Sequence, residues 1–230
     1  MDPRQEQILK AIVEEYVKTA EPVPSKVLVQ SYDLGVSPAT VRNEMAALEV
    51  GGFIRQPHTS AGRVPTEKGY SYYINKFAKS EVKHRTSKGL RQAADEGGSD
   101  EDTMRALSKE LVRLSGDMAI AAFGGGQAFY TGLGNLFQKP DFQDLDLVRS
   151  VSTLLDRFDE VVGTVFDELN REPQVMIGRD NPFGKDTAAV MVKCKLPNGR
   201  IGLIGLIGPM RMDYPKNLGL MGEVIEILEE

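Results

Sequence analysis

The sequence predicts an α+β chain in two parts, a helical N-terminal third and a mixed α/β remainder built on a mainly antiparallel sheet. Three observations predict it. Apolar residues recur at helical spacing over 4–19 and again on one face of 38–49. Apolar runs at 118–123, 188–196 and 200–207 read as strands, the last two joined by Pro197-Asn198-Gly199, a hairpin signal. Between the two parts lies SEVKHRTSKGLRQAADEGGSDED, polar and poor in large apolar residues. The expected organisation is therefore 1–80, a linker at 81–101 with some helix near 81–94, and a second domain at 102–230.

The elements follow in order. Ile8, Leu9, Ile12, Val13, Tyr16 and Val17 form one stripe of a first helix, which EPVP at 21–24 stops. Ser25 is read as the cap of a short second helix carrying Val27, Leu28 and Tyr32. A tight turn follows, in which Gly35 can take a positive φ at no steric cost. Ser37-Pro38 is a strong helix start, a hydroxyl cap followed by proline in the first turn. The third helix has Val41, Met45 and Leu48 on one face and ends at Gly51-Gly52. Two brief strands around PHTSAGR come next, then a helix capped by Thr66 with Tyr70, Tyr73, Ile74 and Phe77. In the second part we expect a helix at 102–115, strands at Met118–Phe123 and Gln127–Tyr130 joined through Gly124-Gly125-Gly126, and helices over 143–170 in two pieces. Strands at Val175–Ile177, Ala188–Leu196 and Arg200–Ile207 and a closing helix at 214–229 complete it.

Composition narrows the function. The net charge of -5 argues against coating nucleic acid by charge alone, yet residues 1–80 hold 10 Lys and Arg against 9 Asp and Glu, the least acidic part of the chain. One Cys excludes a disulfide framework or a Cys-based zinc site, and two His leave little for metal chemistry, so no metal or cofactor is expected. No run of 18 apolar residues occurs and MDPRQEQ is polar, so neither a membrane span nor a signal peptide is read, and a cytoplasmic location is expected.

Helix, tight turn, helix and a following two-stranded loop within 80 residues form the pattern of a helix-turn-helix with a wing. With Val41, Met45 and Leu48 turned to the core, the opposite face of the third helix carries Ala39, Thr40, Arg42, Asn43 and Ala46. Small residues there let the helix approach a groove, Arg42 suits guanine and Asn43 suits adenine. Ser37 and the helix N-terminus suit a phosphate. The wing and its flanks, Arg55, Gln56, His58, Thr59, Ser60 and Arg63, suit the sugar-phosphate backbone or minor groove, with Lys26 and Lys68 nearby. Double-stranded DNA is thus the expected partner, and no enzymatic activity is expected. A three-helix domain with a solvated polar face is the plainer alternative.

Enzyme signals are weak. Gly202, Gly205 and Gly208 lie within a strand, not before a helix, and read as close backbone packing or a bulge. Gly124-Gly125-Gly126 has no following Lys-Ser/Thr and reads as a turn. Cys194 reads as an inward-facing strand residue, and His58 as a DNA contact or solvated loop residue. Arg211, Asp213 and Tyr214 precede the closing helix. Asp213 is read either as its cap or, with its neighbours, as an interface.

The run EPVPSKVLVQSYDLGVSPATVRNEMAALEVGGFIRQPHTSAGRVPTEKGYSYYI closely resembles the N-terminal domain of the heat-inducible transcription repressor HrcA family. Ser71 stands where the family often has Arg, and Pro24 where it usually has Gly. IGLIGLIGPMRMDYPKNLGLMGEVIEIL, with Met210 in place of Thr, and YTGLGNLFQKPDF resemble later family segments. The resemblance implies a winged-helix DNA-binding domain followed by a GAF-like regulatory or dimerising domain. It also implies a homodimer that represses chaperone operons at an inverted-repeat operator of the CIRCE type, kept active by the chaperonin GroEL and released on heat stress. Family members are longer, with a dimerising domain inserted in the GAF-like one. Here Met118–Phe123 passes through GGGQAF almost directly to YTGLGN, so that insert is expected to be absent. Two other readings differ in class: a regulator sensing a small molecule through the GAF-like domain, and a protein-interaction module without specific DNA affinity.

Overall fold

The computed structural model describes residues 1–79, 88–124, 127–143 and 145–229. The chain divides into two compact units, Met1–Ser80 and Glu81–Glu230.

In the first unit, α1 spans Pro3–Thr19. Asp2 caps it, its carboxylate accepting the Gln5 N–H at 2.9 Å, and Ile8, Leu9, Ala11, Ile12 and Val13 are buried along one face. α2 is Ser25–Ser31. Its cap position is held by Pro24, with no side-chain hydrogen bond, so Ser25 lies inside the first turn instead of capping it. Gly35, at φ +62°, turns the chain toward α3, Pro38–Val50. There Ser37 Oγ accepts the Thr40 N–H at 3.2 Å, and Val41, Met45 and Leu48 face the core.

β1 (Ile54–Arg55) and β2 (Val64–Pro65) pair antiparallel, and a bridge between Val23 and Arg63 adds a third piece of backbone. Gly62 is required for that bridge: a Cβ there would lie 2.4 Å from the Val23 carbonyl carbon and 2.6 Å from the Pro22 oxygen, and backbone cannot yield. α4 (Glu67–Tyr73), capped by Thr66, continues into a wider helical turn over Ile74–Ala78.

In the second unit, α5 (Lys88–Asp95) and α6 (Asp100–Ser115) pack on each other. The expected linker is therefore structured over 88–95. Leu90, its single large apolar residue, is fully buried, and one such anchor suffices when a neighbouring helix supplies the rest of the contact. The expected helical stretch from 81 to 87 lies outside the described residues.

Then follow β3 (Met118–Phe123), β4 (Gln127–Thr131), α7 (Leu133–Phe137), α8 (Leu145–Asp156), α9 (Phe158–Glu168), β5 (Gln174–Ile177), β6 (Thr187–Lys195), β7 (Ile201–Pro209) and α10 (Tyr214–Glu229). The sheet order is β4-β3-β7-β6-β5, and every neighbouring pair is antiparallel. One face, through Met118, Ile120, Met191, Leu203 and Ile207, packs with Val151, Phe158, Val162 and Val165 from α8 and α9. α6 and α10 contact the sheet through β3, β6 and β7. Two of the three strand glycines leave room mainly for neighbouring side chains: a Cβ at Gly205 would meet Met191 Cγ at 2.5 Å and the Val190 carbonyl at 2.9 Å, and one at Gly208 would meet Asp117 Oδ1 at 2.5 Å. Residues 125 and 126 of the glycine turn lie outside the described residues.

Candidate nucleic-acid interface

The helix that the core orients is α3. Val41, Met45 and Leu48 are 0–5% exposed, so the opposite side must face out, and Ala39, Arg42, Asn43, Ala46 and Ala47 are all exposed there. Thr40 is half-buried, its hydroxyl 3.0 Å from Ser37 Oγ. Because Ser37 Oγ is engaged in capping, an anion at this end would meet backbone N–H groups more than the Ser37 side chain.

The acids of α3 are directed elsewhere. Glu44 accepts from Gln5 Nε2 at 3.2 Å and lies 3.8 Å from Arg4. Glu49 accepts the Gln56 backbone N–H at 3.0 Å and pairs with Arg63 at 2.9 Å. The face that carries Arg42 and Asn43 is therefore free of competing carboxylates from its own helix. The two Glu49 contacts also tie the last turn of α3 to the wing.

These contacts alter the reading of two basic residues. Arg63 was expected to approach phosphate, but its Nε and Nη2 are engaged by Glu49. Lys68 was expected nearby as well, but its ammonium donates to the Gly51 carbonyl at 2.8 Å and sits 4.4 Å from the Phe53 ring centre, closing the end of α3. Both act as struts that hold the wing and α4 to α3. Their partners stand 14 and 17 residues away, beyond the reach of a local pattern. Lys26, Arg42 and Arg55 are exposed.

At the wing, Gln56 Nε2 donates to the Ala61 carbonyl at 3.1 Å, closing the loop on itself. His58 and Thr59 are exposed, with His58 Nδ1 3.3 Å from the Thr59 carbonyl. Ser60 holds φ +69°, a left-handed conformation uncommon outside glycine, at the exposed tip. The loop is thus a compact, polar projection.

In the second unit, of Arg211, Asp213 and Tyr214, read as cap or interface, the structure turns Arg211 and Tyr214 inward and leaves Asp213 exposed. The Arg211 side chain is 13% exposed and grips Asp141 with Nε at 2.9 Å and Nη2 at 2.6 Å. Tyr214 is fully buried, its hydroxyl donating to the Met210 carbonyl, and burial raises its pKa well above the ordinary value. Asp213 accepts the Lys216 N–H at 3.2 Å, the capping role. An apolar sheet on one side and a helix start on the other draw this segment inward. Sequence reading also missed a buried polar knot: Asp117 pairs with Lys139 and accepts from Asn217 Nδ2 at 3.0 Å. Its members are too far apart in sequence to signal one another.

Burial pushes the Cys194 thiol up to about 12, which keeps it protonated and unreactive. Among the described residues no group of three His, Cys, Asp or Glu is placed to hold a metal, and no helix is long and apolar enough to cross a membrane. A cleft of about 250 Å³ lies between β4 and α9, lined by Phe123, Val162 and Phe166 with Asp159 and Asp167.

A helix-turn-helix with an uncluttered outer face and a braced wing defines a winged-helix domain of the DNA-binding class. Residues 1–78 match the family model described as "Winged helix-turn-helix transcription repressor, HrcA DNA-binding", and residues 69–218 match "HrcA protein C terminal domain". The chain belongs to the HrcA family of heat-inducible transcription repressors.

The heat-inducible transcription repressor HrcA of Moorella thermoacetica is 26% identical over 336 aligned positions, covering 100% of this chain and 97% of the relative. Those positions exceed the 230 residues here by 106, so a stretch of the relative has no counterpart in this chain. The HrcA repressor of Bifidobacterium adolescentis is 44% identical over 119 residues, which are 50% of this chain and 31% of the relative. A solved structure titled "Crystal structure of a hypothetical protein at 2.2 A resolution" shares the fold, with a TM-score of 0.84, 19% identity and coverage of 99% of this chain and 97% of that one.

Proposed function

We propose that this chain represses heat-shock genes by occupying an inverted-repeat operator of the CIRCE type as a homodimer. One α3 enters each major groove and each wing lies on flanking backbone. The observation that carries the reading is the outer face of α3, with Arg42 and Asn43 exposed and both helix acids held by partners off that face. Arg42 supplies a bidentate donor for guanine, and Asn43 a donor and acceptor for adenine. Ala39 and Ala46 let the helix axis approach the base edges. One such module reads too few bases for genomic specificity, which is why two-fold symmetry is part of the proposal. The second unit acts as the regulatory and dimerising part. Release on heating, and support by a GroEL-type chaperonin, follow if DNA binding needs a marginally stable fold that a binding partner sustains. A cytoplasmic location accords with this role.

The charge bookkeeping is specific. Counting four or five of Lys26, Arg42, Arg55, Arg63 and Lys68 per subunit as phosphate contacts gives a dimer a log–log salt slope of roughly -7 to -9. With Arg63 held by Glu49 and Lys68 by the Gly51 carbonyl, Lys26, Arg42 and Arg55 alone give a slope of about -5. A fluorescence-anisotropy titration at about 150 mM salt, the regime where specific and non-specific binding separate, tests the proposal. It compares a CIRCE-type palindrome, its half-site and a scrambled duplex. Tight cooperative binding to the palindrome supports the repressor reading. Equal weak binding to all three, both alone and with a GroEL-type chaperonin added, overturns it in favour of a protein-interaction module.

A further inference from the structure

The outer face of α3 continues beyond the residues already discussed. Ala39, Asn43, Ala46 and Val50 are spaced four, three and four apart, which on a helix is a single stripe, and it lies opposite Val41, Met45 and Leu48. All four are exposed, and Val50 is 91% exposed, the highest value among the exposed large hydrophobic residues of the described chain. The stripe carries no charge. Glu49, next to Val50, is turned to Gln56 and Arg63 and so binds this last turn to the wing. The end of α3 that holds the bare valine is therefore the end to which the second DNA-contacting element is attached.

An isolated exposed apolar side chain is ordinary on a protein surface. One in line with base-reading residues has a specific complement, because the thymine C5-methyl is the apolar group displayed at base edges in the major groove. We infer that Val50 is a specificity residue that contacts a thymine methyl, at the far end of the stripe from which Asn43 reads adenine. This rests on the repressor reading above and deepens it. Val50 stands seven positions beyond Asn43, about 10 Å along the helix, so the thymine lies about three base pairs from the adenine. Ala46, between them, is small enough to leave that spacing unobstructed. The half-site is thus expected to place an adenine and a thymine in fixed register, with the thymine nearer the wing.

The test uses the full chain and a duplex recovered by in-vitro selection from a randomised inverted-repeat library. Each thymine is replaced in turn by deoxyuridine, which removes the methyl and leaves the hydrogen-bonding edge intact. Burial of one methyl corresponds to about fourfold in affinity per half-site. The wild-type chain should lose about that factor at one thymine position per half-site. Val50→Ala should bind the unmodified duplex more weakly and be indifferent to deoxyuridine at that same position, while far-ultraviolet circular dichroism stays unchanged. If selection recovers an inverted repeat but Val50→Ala remains as sensitive to every deoxyuridine as wild type, the inference fails and the repressor reading stands. If selection enriches no inverted repeat, both fall.

Discussion

Arg42 and Arg211 occupy comparable places, one in the opening turns of α3 and the other just ahead of α10, yet the two units use them in opposite ways. Arg42 is exposed on a face cleared of its helix's carboxylates. Arg211 is turned inward onto Asp141, 70 residues earlier in the chain. In sequence the two look alike as candidate recognition residues. The difference is where the nearest acid sits. An arginine near a helix start reads an external partner only if no internal carboxylate satisfies its guanidinium first.

The comparison can be broken most sharply at Arg211. Arg211→Ala should cost the second unit about 2–3 kcal/mol of unfolding free energy, because Asp141 is left largely buried without its partner. Urea unfolding measures it, and a change under 0.5 kcal/mol, the usual range for a plain surface substitution, would make the pair a surface ornament. Arg211→Lys should recover part of the loss, since an ammonium cannot reproduce the two-pronged contact. Arg42→Ala should do the reverse, costing about 1–3 kcal/mol of operator affinity and relaxing base preference while the urea midpoint stays put. Unchanged affinity would remove α3's outer face from the DNA-reading role.

Ser37→Ala separates a cap from a contact. It should lower the stability of the first unit by about 1 kcal/mol, as loss of an N-cap does. Thr at this position should restore most of that stability. The smallest effect concerns acid. Glu6 accepts a hydrogen bond from the Tyr72 hydroxyl and lies near Lys76, and both hold its carboxyl below the ordinary 4.5. A lowered folded-state value means the contribution is full above the ordinary value and fades as pH falls from there through the folded value. Tyr72→Phe should flatten that part of the stability–pH curve by lowering the neutral-pH plateau slightly while leaving the acid limb unchanged.

Much of the architecture was legible because its signals are local. Ser37-Pro38, Gly35, Thr66 and the strand pair around Pro197-Asn198-Gly199 each specify backbone within four or five residues, and each stands where its chemistry demands. The outer face of α3 was legible for the same reason, since three core residues on one side determine what lies opposite. Ser25 was misread because a proline in the extended region can hold a cap position without offering a side-chain acceptor. α5 read as linker because its burial depends on a neighbouring helix and not on its own periodicity.

The sequence by itself determined where α1, α3, α4 and the long strands lie, which side of α3 is apolar, and that the N-terminal unit has a helix-turn-helix followed by a wing. Tertiary structure decided which charges remain available to a partner. Arg63 and Lys68 became struts through Glu49 and the Gly51 carbonyl, Arg211 became half of an internal pair, and Tyr214 was buried. The physical reason is range. Capping, turn conformation and amphipathic periodicity act over one or two turns of chain, whereas the partner of an ionised side chain is whichever opposite charge the fold brings within a few ångströms.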